Sequence, residues 1–367
     1  MRILISAGGT GGGIYPALAV AGALRKLDPE GTLTFVGARG DVVRDLVTQA
    51  DVHFDGYDDV LAGPLHGVPL MQKISSALKL VIGVLQALMV LLRTRPQALF
   101  LTGGWVGFPV AAAGWLLRRP IVIYVPDIEP GLALKVLGRL ARVIAATVPD
   151  TAAYFPGKRV VVTGYPLRPA LLEATREEGL HLFSLDPQRR TLLVFGGSRG
   201  ARSLNTAIGA IAPALLASGV QILHITGKLD WPQVEARHAT LDSTQRAFYQ
   251  IFPYRADIGY AFAAADLVVS RAGASSLAEY PQHALPAILV PYPYAWRYQK
   301  VNADYLAGQG AGIRLEDERL ADDLLPLLRD LFADPARLAA MRDAMAALKR
   351  SDGAEAIAQL VLDTARS

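Results

Sequence analysis

Residues 270–302 read SRAGASSLAEYPQHALPAILVPYPYAWRYQKVN, and the succession of residue types here decides the fold class. An apolar run at 267–270 ends in the small residues Ala272, Gly273, Ala274, Ser275 and Ser276. A helical stretch carrying Glu279 follows, then a second apolar run at 287–290, then Gln299 and Asn302. Strand, small-residue turn, helix and strand make the repeating unit of a parallel sheet. At such a turn an anion can approach the helix N-terminus, where unpaired backbone N–H groups and the helix dipole favour negative charge. Glu279 stands about one helical turn beyond Ser276, so its carboxylate can accept from two neighbouring hydroxyls such as those of a ribose. The segment fits a nucleoside diphosphate with a group on its far phosphate. An ordinary strand–turn–helix, with Ser275 and Glu279 in a capping arrangement, fits it too.

Working back from this stretch, the second half offers strands at 191–195, 221–225 and 247–252, and the loop Gly196-Gly197-Ser198-Arg199-Gly200-Ala201 opening a helix near Arg202. The first half repeats the plan, with strands at 3–6, 33–36, 98–101, 121–124, 143–146 and 160–162. Its first strand delivers Ala7-Gly8-Gly9-Thr10-Gly11-Gly12-Gly13, and Pro16 is expected to open a helix over 17–27. A second glycine loop, Thr102-Gly103-Gly104-Trp105, follows the strand at 98–101. Two glycine loops at the carboxyl ends of parallel strands point to one crevice that receives an anion. A polar junction at 163–190 separates the halves, giving domains at 1–164 and 165–351. The last helix, about 352–367, is expected to pack back on the first domain through Ile357, Leu360 and Val361.

At 367 residues the chain suits two domains, with hydrophobic residues at 52% and charged residues at 19%. Some apolar surface is therefore expected to meet lipid or a partner. There are no cysteines, and the six histidines lack ligand spacing, so neither a disulfide framework nor a metal site is expected. The net charge of +4 suits an anionic membrane or a phosphorylated substrate. No interleaving of aromatic and basic residues points to nucleic acid. The N-terminus MRILISAGG reads as a first strand and as no signal peptide. Residues 77–92 are almost continuously apolar, ringed by Lys73, Lys79, Arg93 and Arg95. They are too short for a comfortable span of about 20 apolar residues, and they lie between two strands of one sheet. A buried crossover helix and an interfacial helix in an anionic headgroup layer both fit, and a mixture is expected: one face packed, one face on lipid.

The blocks GGTGGGIYPALAVA, GGWVGFPVAAA, TGYPLRP, FGGSRGARSLN and RAGASSLAEYPQHALPAILVPYPYAWRYQKVNA together resemble the MurG family of glycosyltransferases, in the right order and over nearly the whole chain. The resemblance implies a GT-B fold, α/β, with two doubly wound Rossmann-like domains facing across a cleft. It implies inverting transfer of N-acetylglucosamine from UDP-N-acetylglucosamine to a lipid-linked muramyl-pentapeptide, a polyprenyl diphosphate acceptor. That places the enzyme peripherally on the cytoplasmic face of the membrane, with no cofactor and no metal. On the donor side it assigns Glu279 to the ribose, Ala274, Ser275 and Ser276 to phosphate and sugar, Ser198 to the diphosphate and Arg168 as counter-charge. Asn205 and Arg271 stand at positions the family also keeps, Gln299 and Asn302 belong to its sugar-facing segment, and the loop carrying Arg255 is assigned to uracil. One departure is Tyr298-Gln299, where the family commonly has two glutamines.

On the acceptor side the resemblance assigns Thr10, Gly11, Gly12, Gly13, Gly103, Gly104 and Trp105, with larger departures. Gly13 stands where the family has histidine, Trp105 where it has tyrosine, and Tyr124-Val125-Pro126-Asp127 where it shows a His-Glu-Gln-Asn run. Transfer with inversion needs a base for the acceptor hydroxyl. Asp127 is the candidate, with an N-cap for a helix near Pro130 as its alternative role and His66 as a second choice for the base. The departures leave open another lipid acceptor, or a non-catalytic UDP-sugar-binding relative. A sugar-nucleotide epimerase would need acid/base groups that these loops supply sparsely. A nicotinamide oxidoreductase is disfavoured because Gly37-Ala38-Arg39 follows the second strand without an acidic residue.

Overall fold

The structure is a computed structural model, and it describes residues 1–367 except 9–10, 41–42, 65–68, 198–199 and 295–296. The chain forms two compact units, Met1–Leu167 with Ser351–Ser367, and Arg168–Arg350.

The first unit holds a seven-stranded parallel sheet of β1 (Arg2–Ser6), β2 (Thr32–Ala38), β3 (Gly56–Val60), β4 (Ala98–Leu101), β5 (Ile121–Val125), β6 (Val143–Ala146) and β7 (Val160–Val162). Its order is β3-β2-β1-β4-β5-β6-β7. The central strands are short apolar runs because helices cover both faces; Ile3 on β1 pairs with Leu33 on one side and Ala98 on the other. β3, with the sequence GYDDV, escaped the strand expectations above because it is a polar edge. Asp58 pairs with Arg93 at 2.5 Å and Asp59 with Arg44 at 3.6 Å, while Tyr57 stacks on Phe35. Such charges keep an exposed edge from pairing with another chain.

The first helix spans Gly11–Leu27, so it starts within the glycine run and Pro16 lies inside it instead of opening it. The crossover between β3 and β4 is a 25-residue helix, Leu70–Thr94. Its inner face buries Ser76, Leu80, Ala87, Val90 and Leu91. At Gly83 the contact is so close that a Cβ would lie 2.0 Å from the Leu61 carbonyl oxygen, and Gln86 accepts from the Leu61 N–H at 2.8 Å. These two interruptions of the apolar run are thus docking points. The opposite face exposes Met71, Ile74, Leu78, Val81, Leu85, Met89 and Leu92, recurring every three or four residues as one stripe. The helix is long and apolar enough to cross a membrane by length and composition, yet it is an integral crossover of the sheet. The final helix, Gly353–Arg366, packs on the Gly11–Leu27 helix and on β4.

The second unit holds a six-stranded parallel sheet of β8 (Arg190–Phe195), β9 (Val220–Ile225), β10 (Tyr249–Phe252), β11 (Leu267–Ser270), β12 (Ala287–Leu289) and β13 (Gly312–Arg314), ordered β10-β9-β8-β11-β12-β13. β10 starts later than its sequence suggests, because Ala247 ends a short helix whose start Asp242 caps by accepting from the Gln245 N–H at 2.8 Å. Below the strands, buried Asp266 accepts from the Thr191 N–H at 2.8 Å and pairs with Arg176, Arg190 and Arg342. Among the described residues, four helices stop at a left-handed residue that carries a side chain: Arg95 (φ 47°), Arg118 (φ 52°), Ser184 (φ 52°) and Ala284 (φ 48°). At the last three, the next N–H reaches back five residues, as in Leu285 to the Tyr280 carbonyl at 3.0 Å.

Candidate functional site

Both sheets reverse their strand order once, between β1 and β4 and between β8 and β11. Loops leaving two such strands diverge, and the space outside their carboxyl ends is where open parallel sheets bind ligands. The sequence places its small-residue loops at these four strand ends.

In the second unit, the helix after β11 is Ser276–Gln282, seven residues long. The Ser275 hydroxyl caps no backbone group; it donates to Glu279 Oε2 at 2.8 Å, so the capping arrangement gives way to a side-chain pair. Burial pushes the Glu279 carboxyl above its ordinary range, while the Ser275 hydroxyl and the positive charge of Arg168 pull it down. A half-buried carboxylate with a hydroxyl partner and a nearby guanidinium can exchange that hydroxyl for ligand hydroxyls. The expected row of free N–H groups is not what the turn presents. The N–H groups of Ser276, Leu277 and Ala278 donate to the Gly273, Ala274 and Ser275 carbonyls, and the Ser276 hydroxyl folds back on Gly273 at 2.6 Å. The positive charge of Arg168 acts on this same site through Glu279.

The other donor-side residues hold loops. Buried Asn302 donates to the Ala272 carbonyl at 3.1 Å, and Gln299 accepts from the Tyr292 N–H at 2.8 Å. Arg271 donates to Asp317 at 2.5 Å, to Ser203 at 2.7 Å and to the carbonyls of Val290 and Pro291. Arg255 forms a two-pronged pair with Asp257 at 2.8 and 2.6 Å over the rings of Phe183 and Phe252. Asn205 is buried, with its amide on the Thr226 carbonyl and Asp230. Ser198 lies outside the described residues.

In the first unit the loops after β1 and β4 touch. Gly104 (φ +78°) lies where a Cβ would stand 2.9 Å from the Gly8 carbonyl oxygen, and Gly103 has φ +104°, a conformation glycine alone adopts without strain. The Thr102 hydroxyl donates to the Gly13 carbonyl at 2.8 Å, and Trp105 is half-buried beside them. Gly11, Gly12 and Gly13 form the first turn of the Gly11–Leu27 helix. A Cβ at Gly13 would meet nothing nearer than 3.5 Å, so a side chain fits there. Thr10 and His66 lie outside the described residues.

Asp127 is half-buried in the loop after β5. The next helix begins at Leu132 behind Gly131, with no side-chain cap, so the N-cap role for Asp127 does not hold. The loop is pinned by Thr147, whose hydroxyl donates to the Pro126 carbonyl at 2.9 Å and meets the buried Tyr124 hydroxyl at 2.8 Å. Two features went unnoticed in the sequence: buried Glu129, 3.2 Å from Lys135, and buried His224. Only the run of strand residues around His224 was legible. Among the described residues no group of three or more His, Cys, Asp or Glu is placed to hold a metal.

Residues 3–146 match the glycosyltransferase family 28 N-terminal domain and residues 191–357 the glycosyltransferase family 28 C-terminal domain. The UDP-N-acetylglucosamine–N-acetylmuramyl-(pentapeptide) pyrophosphoryl-undecaprenol N-acetylglucosamine transferase of Symbiobacterium thermophilum is 35% identical over 100% of this chain and 97% of its own. The enzyme of the same name from a Nocardioides species is 38% identical, covering 99% and 98%. The chain belongs to the MurG family. The crystal structure of Acinetobacter baumannii MurG superposes with a TM-score of 0.79 at 24% identity, covering 99% of each chain. UDP-GlcNAc 2-epimerase from Neisseria meningitidis shares the fold with a TM-score of 0.71 at 12% identity, over 99% of this chain and 100% of its own. MurG membership accounts for the two Rossmann-like sheets and makes this chain a glycosyltransferase, a distinction that the fold shared with epimerases does not draw.

Proposed function

We propose that the protein moves N-acetylglucosamine from UDP-N-acetylglucosamine to a lipid-linked muramyl-pentapeptide at the cytoplasmic face of the membrane. The observation that carries this reading is the Glu279 carboxylate, half-buried behind β11 with Ser275 on one oxygen and Arg168 as its counter-charge. Together with full-length likeness to transferases of that name, it supports a UDP-sugar donor. In the reaction the acceptor hydroxyl attacks the anomeric carbon, the bond to UDP breaks with inversion, and Asp127 takes the hydroxyl proton. Arg168 stabilises the charge that develops on the departing diphosphate. No cofactor enters this scheme.

The acceptor's lipid tail suits the exposed stripe of the Leu70–Thr94 helix, with exposed Lys73 and Lys79 beside it. A stripe of this kind buries itself in the acyl boundary of an anionic surface while its cations meet headgroups, so the protein acts as a peripheral membrane enzyme. A second reading, transfer to a different lipid acceptor, draws on Gly13, Trp105, Val125 and Asp127, which depart from the family pattern. The deciding assay is transfer of labelled sugar from UDP-N-acetylglucosamine to a short-chain lipid-linked muramyl-pentapeptide by the purified protein. Product supports the first reading; UDP binding without product on this acceptor shifts weight to the second.

A further inference from the structure

We infer that His224 and Asn205 form a positioning pair that fixes the Thr226 carbonyl against which Gly200, in the loop after β8, is seated for the donor diphosphate. His224 lies on β9, fully buried, with Nδ1 2.9 Å from the Tyr249 hydroxyl and Nε2 2.8 Å from Asn205 Oδ1. The directions of these bonds follow from the far end. The Asn205 amide nitrogen faces two acceptors, the Thr226 carbonyl at 2.9 Å and Asp230 Oδ2 at 3.1 Å, so Oδ1 must accept from the imidazole. His224 therefore carries its proton on Nε2 and accepts from Tyr249 on Nδ1. Asp230 in turn takes Arg202 Nε at 3.0 Å. The result is a chain of donors running from the Tyr249 hydroxyl to Asp230, which Arg202, in the first turn of the Arg202–Ala217 helix, meets from the other side.

What the chain holds is the Thr226 carbonyl, and on it rests Gly200. That glycine has φ +82°, and a Cβ there would lie 2.3 Å from the Thr226 oxygen. The Gly200 N–H donates to the Gly197 carbonyl at 3.0 Å. From the other side, Ser203 is gripped by Arg271 at 2.7 Å and itself grips Asp317 at 2.7 Å. Burying an imidazole, an amide and a carboxylate is costly unless every partner is met, and a fully met network specifies a single geometry. A leucine in place of His224 would fill the space at lower desolvation cost, but it would leave buried Asn205 Oδ1 without a donor, so that the amide supporting the carbonyl under Gly200 is held from one end only. This inference rests on the UDP-sugar reading of the same site.

Four proteins decide it: the parent chain, His224→Leu, His224→Gln and Tyr249→Phe, compared by UDP calorimetry, by donor and acceptor KM, and by thermal melting. His224→Leu should weaken UDP binding and raise donor KM by about tenfold, the worth of one or two hydrogen bonds, leaving acceptor KM within about twofold. His224→Gln keeps a donor toward Asn205 and should recover most of the loss. Tyr249→Phe removes only the outermost bond and should show the same pattern at about twofold to threefold; if His224→Leu does not fold, this variant decides. Unchanged UDP affinity in folded His224→Leu or Tyr249→Phe, or equal losses in donor and acceptor KM tracking a lowered melting temperature, would overturn the positioning role. A parent protein that binds no UDP would overturn the donor reading itself, and this inference with it.

Discussion

In the first unit the switch-point loops meet mainly through glycine backbone, Gly104 resting against the Gly8 carbonyl, with one hydroxyl bond from Thr102 to the Gly13 carbonyl. In the second, Gly200 likewise rests on the Thr226 carbonyl, but side chains add most of the hold: buried Asn205 on Thr226, buried Asn302 on Ala272, and half-buried Arg271 on Ser203 and Asp317. A loop fixed by glycine contacts can exchange its neighbouring side chains and keep its path. A loop fixed by amides and guanidinium groups needs those residues. The contrast parallels the expectation from the sequence blocks, which puts departures from the family pattern at Gly13, Trp105 and Tyr124-Val125-Pro126-Asp127 and agreement at Asn205, Arg271, Glu279 and Asn302.

The sharpest way to break this division is Asp127→Asn. As the base, it should cut turnover by about a hundredfold or more and leave UDP affinity unchanged by calorimetry; an active variant removes Asp127 from the chemistry. Next, Gly104→Ala forces a side chain into a positive-φ position against the Gly8 carbonyl, and should cost about 2–3 kcal/mol of stability in denaturant titration. A neutral result would show that the loop contact is loose. Glu279→Ala should weaken UDP binding by about 1–3 kcal/mol, and unchanged affinity would mean that another group holds the ribose.

A gentler perturbation is pH. Burial lowers the His224 pKa from the ordinary 6.5 to about 3, so between these values the unfolded chain binds more protons than the folded one. The stabilisation is fully present above pH 6.5 and is lost as pH falls toward about 3. His283, lowered to about 4, acts in the same direction. His224→Gln should flatten, without abolishing, the acid limb of the melting curve; a limb unchanged by the substitution would place the proton uptake elsewhere. Smallest of all, Gly13→His should shift stability by no more than about 0.5 kcal/mol, since a Cβ there meets nothing nearer than 3.5 Å. A large loss would show that the helix start is closed to side chains.

The sequence carried the doubly wound plan because its central strands are apolar runs ending in small residues, and it carried Glu279 because the spacing to Ser276 is a local fact. It concealed β3, whose Asp58 and Asp59 find their arginines only after folding, and three-residue β13, defined by its pairing with β12. The helix Gly11–Leu27 starts ahead of Pro16 despite glycines that favour coil, which tertiary packing overrides. Asn205, Arg271 and Asn302 were legible as motif positions, but what they hold depends on partners up to 68 residues away. His224 offered no motif, since its partners, Tyr249 on β10 and Asn205 on the Arg202–Ala217 helix, meet it only after folding.

The left-handed helix ends at Arg95, Arg118, Ser184 and Ala284 give the molecule an unused margin for heat tolerance. Each side chain there strains a backbone that glycine adopts freely, so replacement by glycine should gain about 0.5 kcal/mol after the looser unfolded chain is counted. The sites terminate four separate helices, so their gains should add. A thermostable form for prolonged assays with lipid substrates could be assembled from them without touching a residue that meets donor or acceptor.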